Sequence, residues 1–152
     1  MTNPTPPPIN SPAAITQGLA AKTVAVVGLS SNPTTPSYAI AQYLQEHGYR
    51  IIPVNPQETA VLGEQAYPSV QAIPERVDVV DVFRRADAVP AVVEDAIAAG
   101  APLVWLQLGI RNEAAAARAQ EAGLTVVMDH CMKVEHHRRA VAQAAAGEVD
   151  PS

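Results

Sequence analysis

Thr23-Val24-Ala25-Val26-Val27 is a short run of small and β-branched residues closed by Gly28. A run without polar alternation is the pattern of a strand buried on both faces of a parallel sheet. A polar loop follows over 29–34. Thr35-Pro36 then reads as a helix start, a hydroxyl N-cap with proline at the first helical position. Ala39, Ile40, Tyr43 and Leu44 continue it as an apolar helical stripe. The stretch 22–42 is therefore a strand, a small-residue loop and a helix N-terminus. That unit restricts the chain to folds in which helices cover a parallel sheet.

The same grammar recurs along the chain. Tyr49–Val54, Val77–Phe83, Leu103–Leu108 and Leu124–Met128 read as four more strands. His47-Gly48 stops the helix of the first unit. Ala13–Ala21 reads as a short leading helix and Val70–Ile73 as a helical turn. Ala88–Ala99 reads as a helix ended by Gly100. Asn112 caps an Ala-rich helix running to Gly123, and a last helix spans Lys133 to Ala145. Alternation of this kind predicts an α/β fold: one Rossmann-like three-layer domain, with a five-stranded parallel sheet and helices on both faces. The expected strand order is 3-2-1-4-5, with a ligand crevice at the switch between the first and fourth strands. The domain is expected over 13–146, with a disordered Pro-rich arm over 1–12 and a frayed tail over 147–152.

A chain of 152 residues is long enough to bury one core. Its net charge of -5 opposes binding to nucleic acid by phosphate neutralisation. No apolar run approaches the roughly 20 residues of a membrane span. The start has neither the basic residues nor the apolar run of a signal peptide. One cysteine excludes an internal disulfide and suits a reducing compartment. The expectation is a cytoplasmic protein with neither nucleic acid nor membrane as partner.

The loop after the first strand invites an anion, because the first amides of a helix lack partners within it and its dipole favours negative charge there. Ser30, Ser31 and Thr34 add hydroxyls. An ordinary βα turn without ligand fits the same residues, and the stretch does not choose between the two. A dinucleotide fingerprint needs three glycines. Only Gly28 is present, with Ser30 and Pro33 standing where the others would be. The second strand ends in Val54-Asn55-Pro56, where a nicotinamide site would place an acid; Glu58 comes three residues after Asn55. The third strand ends in Phe83-Arg84-Arg85, an aromatic ring for a base and two guanidinium groups that bind phosphate in bidentate fashion. Gly109 allows a turn after the fourth strand, whose Trp105 suits a core or an interface. His130, Cys131, His136 and His137 leave three readings open: a Cys–His nucleophile pair, a zinc site, or polar residues that orient a loop.

Five segments occur in one order: Val26–Ser30, Ile52–Pro56, Asp78–Arg85, Trp105–Gly109 and Asp129–His136. Together, over about 21–139, they resemble the small single-domain coenzyme A-binding proteins, which are similar to the CoA-binding Rossmann domain of the succinyl-CoA synthetase alpha subunit. The resemblance implies coenzyme A across the carboxyl-end rim. Gly28, Leu29, Ser30, Ser31 and the helix start near Ser37 would hold the pyrophosphate. Val54, Asn55, Pro56 and Gln57 would line the 3'-phosphate end. Phe83 and Arg84, with Arg85 beside them, would flank adenine or phosphates. Gly109 and Cys131 would meet the rest of the coenzyme. Two residues depart from the relatives' pattern: Gln57 where many resemble lysine, and His130 where many resemble arginine. Both departures predict weaker or pH-dependent binding.

The expected function is binding of CoA or an acyl-CoA by a module more likely non-catalytic than enzymatic, with no metal. A nicotinamide-dependent oxidoreductase is the alternative from another class. A homodimer, formed through the Trp105 strand or an Ala-rich helix, is a third.

Overall fold

A computed structural model of the chain describes residues 5–149. Helix α1 (Pro12–Leu19) precedes strand β1 (Thr23–Val27), helix α2 (Pro36–Glu46) and strand β2 (Arg50–Val54). A small hairpin of β3 (Ala60–Val61) and β4 (Glu64–Gln65) turns through Leu62 and Gly63, both at positive φ. Strand β5 (Val79–Val82), a short 3-10 turn, helix α3 (Val89–Ala99), strand β6 (Leu103–Leu106), helix α4 (Glu113–Glu121), strand β7 (Thr125–Met128) and helix α5 (Met132–Val149) complete the chain.

The expected α/β architecture is present. The five long strands form one parallel sheet, and two apolar layers fill its faces. One layer joins Val80, Val82, Val104 and Val126 to α3 and α4. The other joins Val24, Val26, Trp105 and Val127 to α1, α2 and the first residue of α5. The strands alternate between these layers as the pleat requires.

The order across the sheet is β2-β1-β5-β6-β7. Counted over the five sheet strands this is 2-1-3-4-5, which corrects the expected 3-2-1-4-5. The third strand lies beside the first, not outside the second. Asp78 shows why: its carboxylate accepts from the backbone N–H groups of Lys22 (3.1 Å) and Thr23 (3.0 Å), and its own N–H donates to Thr23 O (2.9 Å). These bonds seat the start of β5 against the start of β1. The outer side of β2 is taken by Tyr67, which bridges to Val54 and donates its N–H to Pro53 O at 3.0 Å. The reversal of strand order, and with it the crevice, therefore falls between β1 and β5.

The far edge is covered as well. Asn10 donates its N–H to Val126 O (3.3 Å), and its side chain accepts from Met128 N (2.6 Å). The segment expected as an arm thus runs along β7 near Asn10, while residues 1–4 lie outside the described residues. Of the expected tail, α5 reaches Val149, and 150–152 lie outside the described residues. Ser11 caps α1 through Ala14 N (3.2 Å). Gly18 of that helix rests on Trp105, so close that a Cβ there would stand 2.6 Å from the indole. Trp105 is fully buried, so it belongs to the core and offers no dimer face. Among the described residues no helix is long and apolar enough to cross a membrane.

Candidate ligand cleft

Gly28 fixes how closely β1 and β5 approach at their carboxyl ends. Its φ is +89°, and a Cβ built on it would lie 2.5 Å from Phe83 O. Its N–H donates to Val54 O at 2.8 Å, and Phe83 N donates to Val27 O at 2.9 Å. Only glycine fits both the dihedral and the contact. A cleft of about 640 Å3 opens above this point. Its walls are the N-terminus of α2 (Thr35, Pro36, Ser37, Ile40), the end of β5 (Phe83, Arg84, Arg85), the end of β6 (Gln107, Leu108, Ile110), and Gly28, Ser30 and Cys131.

The loop from β1 to α2 is held by its own polar groups. Ser30 N donates to Ser37 Oγ (3.2 Å), and Ser30 Oγ accepts from Asn32 N (3.0 Å). Asn32 Oδ1 accepts from Thr34 N (3.0 Å) and Thr34 Oγ1 (2.8 Å). Thr35 Oγ1 donates to Asn32 O (2.7 Å), so Thr35 does not cap α2 with its side chain. The first turn of that helix keeps its amides for another acceptor.

Charge around the cleft is uneven. Arg84 is half-buried on its wall and forms no ion pair among the described residues. Arg85 is exposed and pairs with Asp87 at 2.9 Å. Across the mouth, Asp129 accepts from Gly109 N (2.6 Å) and from Arg111 (3.3 Å). The Gly109 N–H first, and then Arg111, hold its carboxyl below the usual carboxylate range. This ties the loop after β6 to the loop after β7. Trp105 Nε1 donates to His130 O (2.9 Å), anchoring the latter loop to the core. His130 Nδ1 donates to Met128 O (2.8 Å), because a carbonyl can only accept.

Seven of the expected residues meet at the cleft: Gly28, Ser30, Ser37, Phe83, Arg84, Arg85 and Cys131. The other seven lie elsewhere. Leu29 and Val54 are buried core. Ser31 N donates to Glu58 Oε2 at 2.7 Å. Asn55 is spent on Leu29 O (3.1 Å) and Gln57 N (3.0 Å). Pro56 and Gln57 are exposed and do not line the cleft, and Gly109 donates its N–H to Asp129. Thr35, Pro36, Ile40, Gln107, Leu108 and Ile110 also line the cleft; the first two and the last two stand in loops expected at the rim, but none of the six was assigned to the ligand. Leu108 carried a usable signal: an apolar residue past a strand end and before a glycine, and it is 69% exposed. The zinc reading does not gather its ligands. His136 Nδ1 pairs with Tyr43 Oη (2.8 Å), His130 bonds to Met128 O, and the described residues hold no group of three or more His, Cys, Asp or Glu fit for a metal.

Comparison with known proteins places this geometry. Residues 22–137 match the family model described as a CoA binding domain. The chain is 44% identical over 115 residues to the uncharacterized protein YneT of Bacillus subtilis, covering 76% of this chain and 85% of that one. A solved structure of a hypothetical protein from Pyrococcus horikoshii superposes with a TM-score of 0.82 at 40% identity, covering 91% of this chain and 98% of that one. An ADP-forming acetate–CoA ligase of Archaeoglobus fulgidus is 36% identical over 76 residues, which are 49% of this chain but 11% of the ligase.

Proposed function

Because the chain belongs to the CoA-binding domain family, homologous to the CoA-binding domain of the ADP-forming synthetases, we propose that its cleft holds coenzyme A or an acyl-CoA. The observation that carries the reading is the pairing of Arg84 with the uncapped start of α2. A guanidinium with no ion pair among the described residues and a helix N-terminus line one hollow. Both favour a diphosphate, the first by charge and fork geometry, the second by free amides and dipole. Phe83 offers a face beside them. Leu108 and Ile110 offer an apolar strip for the uncharged arm of the coenzyme.

In this reading the module binds its ligand without itself transforming it. A reducing, cytoplasmic setting accords with the free thiol of Cys131. Asn55 supports CoA over a nicotinamide cofactor. It occupies the position where an acid would bind ribose hydroxyls, and both ends of its side chain are already bonded within the protein.

Thermal shift with CoA, dephospho-CoA, acetyl-CoA and NAD(P) in parallel tests the reading, since a ligand that binds only the native state raises the melting temperature. The expected result is a shift with the CoA species and none with NAD(P). A shift with NAD(P) alone restores the oxidoreductase, and no shift with any CoA species ends the proposal.

A further inference from the structure

Asp81 sits in the central strand β5 with no exposure, and Gln107 lies just past β6 at 3%. The two share the face of the sheet that carries Val79 and Trp105. Gln107 Nε2 donates to Asp81 Oδ1. Asp81 Oδ2 and Gln107 Oε1 are both buried without a partner. A buried orphan is costly, and two on one contacting pair point to a missing hydrogen. A proton on Oδ2 turns them into donor and acceptor, with acid O–H to amide oxygen and amide N–H to acid oxygen.

The surroundings favour that neutral form. Val26 and Trp105 flank Asp81 on the neighbouring strands. Ala14, Ala41, Leu44 and Met132 reach the same layer from α1, α2 and α5. Helix α1 carries no titratable side chain. Those on α2 are Tyr38, Tyr43 and Glu46; those from the loop before α5 to Ala146 within it are Asp129, His130, Cys131, Lys133, Glu135, His136, His137, Arg138 and Arg139. None of them registers on Asp81. Burial acts first, pushing its carboxyl up to about 7, and the Gln107 amide acts against it.

Gln107 belongs to the cleft, and its backbone begins the lip. Its N–H donates to Val82 O (3.3 Å), and its C=O accepts from Ile110 N (2.9 Å), closing the turn that presents Leu108. We infer that Asp81 is a positioning residue for the ligand cleft: as a neutral acid it holds Gln107 and the 107–110 lip in the binding form, so that binding of the anionic ligand takes up a proton. Ionised Asp81 keeps the Gln107 N–H bond, but it puts a buried negative charge under an anion site and leaves Gln107 Oε1 without a donor. The proton comes from solvent, and no bond other than the O–H forms. This rests on the CoA reading above and adds its regulation by pH.

The test is calorimetric titration of the full chain with CoA at pH 6, 7 and 8, each in two buffers of different ionisation enthalpy. Wild type is expected to take up more protons than Asp81→Asn at pH 7 and 8. Its affinity should fall about tenfold more between pH 6 and 8 than that of Asp81→Asn, which is neutral at every pH. Identical pH slopes and proton counts in the two proteins overturn the inference and leave the CoA reading standing. No CoA binding at any pH overturns both. If Asp81→Asn does not fold, Gln107→Met serves. It removes the bond that favours the charged carboxylate, so the midpoint of the pH dependence should move up, and an unmoved midpoint overturns the inference.

Discussion

Glu58 Oε2 accepts from the backbone N–H of Ser31 at 2.7 Å. A carboxylate thus holds a loop amide beside the start of α2, in a region suited to an anion. Removing it frees a donor and subtracts a negative charge. Glu58→Ala is expected to tighten CoA binding by about three- to tenfold, with Glu58→Gln between it and wild type, since charge-assisted bonds are the strong ones. Titration calorimetry at fixed salt checks the order, and weaker binding in Glu58→Ala would show the carboxylate to be part of the ligand site.

Arg84 and Arg85 are adjacent in sequence and differ in situation. Arg84 lines the cleft without an ion pair among the described residues, whereas Arg85 is exposed on Asp87. A bond from a charged donor contributes roughly 1.5–3 kcal/mol. Arg84→Ala should therefore weaken CoA by tenfold or more, because about 1.4 kcal/mol is one decade. Arg85→Ala should change it less than about threefold. The reverse ranking by equilibrium binding would assign the phosphate contact to Arg85.

The βα unit around Gly28 was legible because its signals are local: a Val-rich run, one glycine, and Thr-Pro before an apolar stripe. The strand order was not. It depends on Asp78 reaching the amides of Lys22 and Thr23 across more than fifty residues, and no periodicity encodes that. The cleft was half legible for a related reason. Serine and asparagine near a helix start read as ligand donors, yet Ser31 and Asn55 are bonded within the protein. The fourth strand reads to Leu108 in sequence, with the loop from Leu108 to Arg111 on the rim; β6 stops at Leu106, which brings Gln107 into the lip as well.

Gln57 is exposed outside the cleft wall, with its N–H fixed by Asn55 Oδ1 at 3.0 Å. Lysine at this position would place a mobile cation near the loop end. Gln57→Lys should raise affinity for CoA several-fold and leave dephospho-CoA unchanged if the 3'-phosphate lies at this end of the cleft, as the family resemblance implies. Parallel titrations decide it: equal gains for both ligands would mean a nonspecific charge effect.

Gly28 tolerates no side chain. The +89° φ and the 2.5 Å approach to Phe83 O act together, and the neighbouring atom is backbone that cannot swing away. Gly28→Ala should cost on the order of 2–4 kcal/mol in urea unfolding, from dihedral strain plus displacement of the β5 end. Gly63→Ala is the control, because it shares a positive φ but meets nothing within 4 Å. Equal losses in the two variants would assign the whole effect to the dihedral.

Asp81 also makes fold stability depend on pH, with a sign opposite to that of a paired surface acid. Its folded carboxyl titrates at about 7, chiefly through burial, and in the unfolded chain it titrates near the ordinary value for aspartate. Between those values the native state holds a proton that the unfolded chain has lost, so stability falls as pH rises. Below the unfolded value both states are protonated and the penalty vanishes; above about 7 it is complete. The span amounts to on the order of 4 kcal/mol at about 1.4 kcal/mol per unit. Glu75, held down mainly by its bond to Arg50, works in the other direction at lower pH and is too exposed to offset this. Urea midpoints measured from pH 4.5 to 8 should decline in wild type and stay flatter in Asp81→Asn. Parallel curves would mean that Asp81 ionises in the folded state as readily as in the unfolded one, and that water reaches the Gln107 contact.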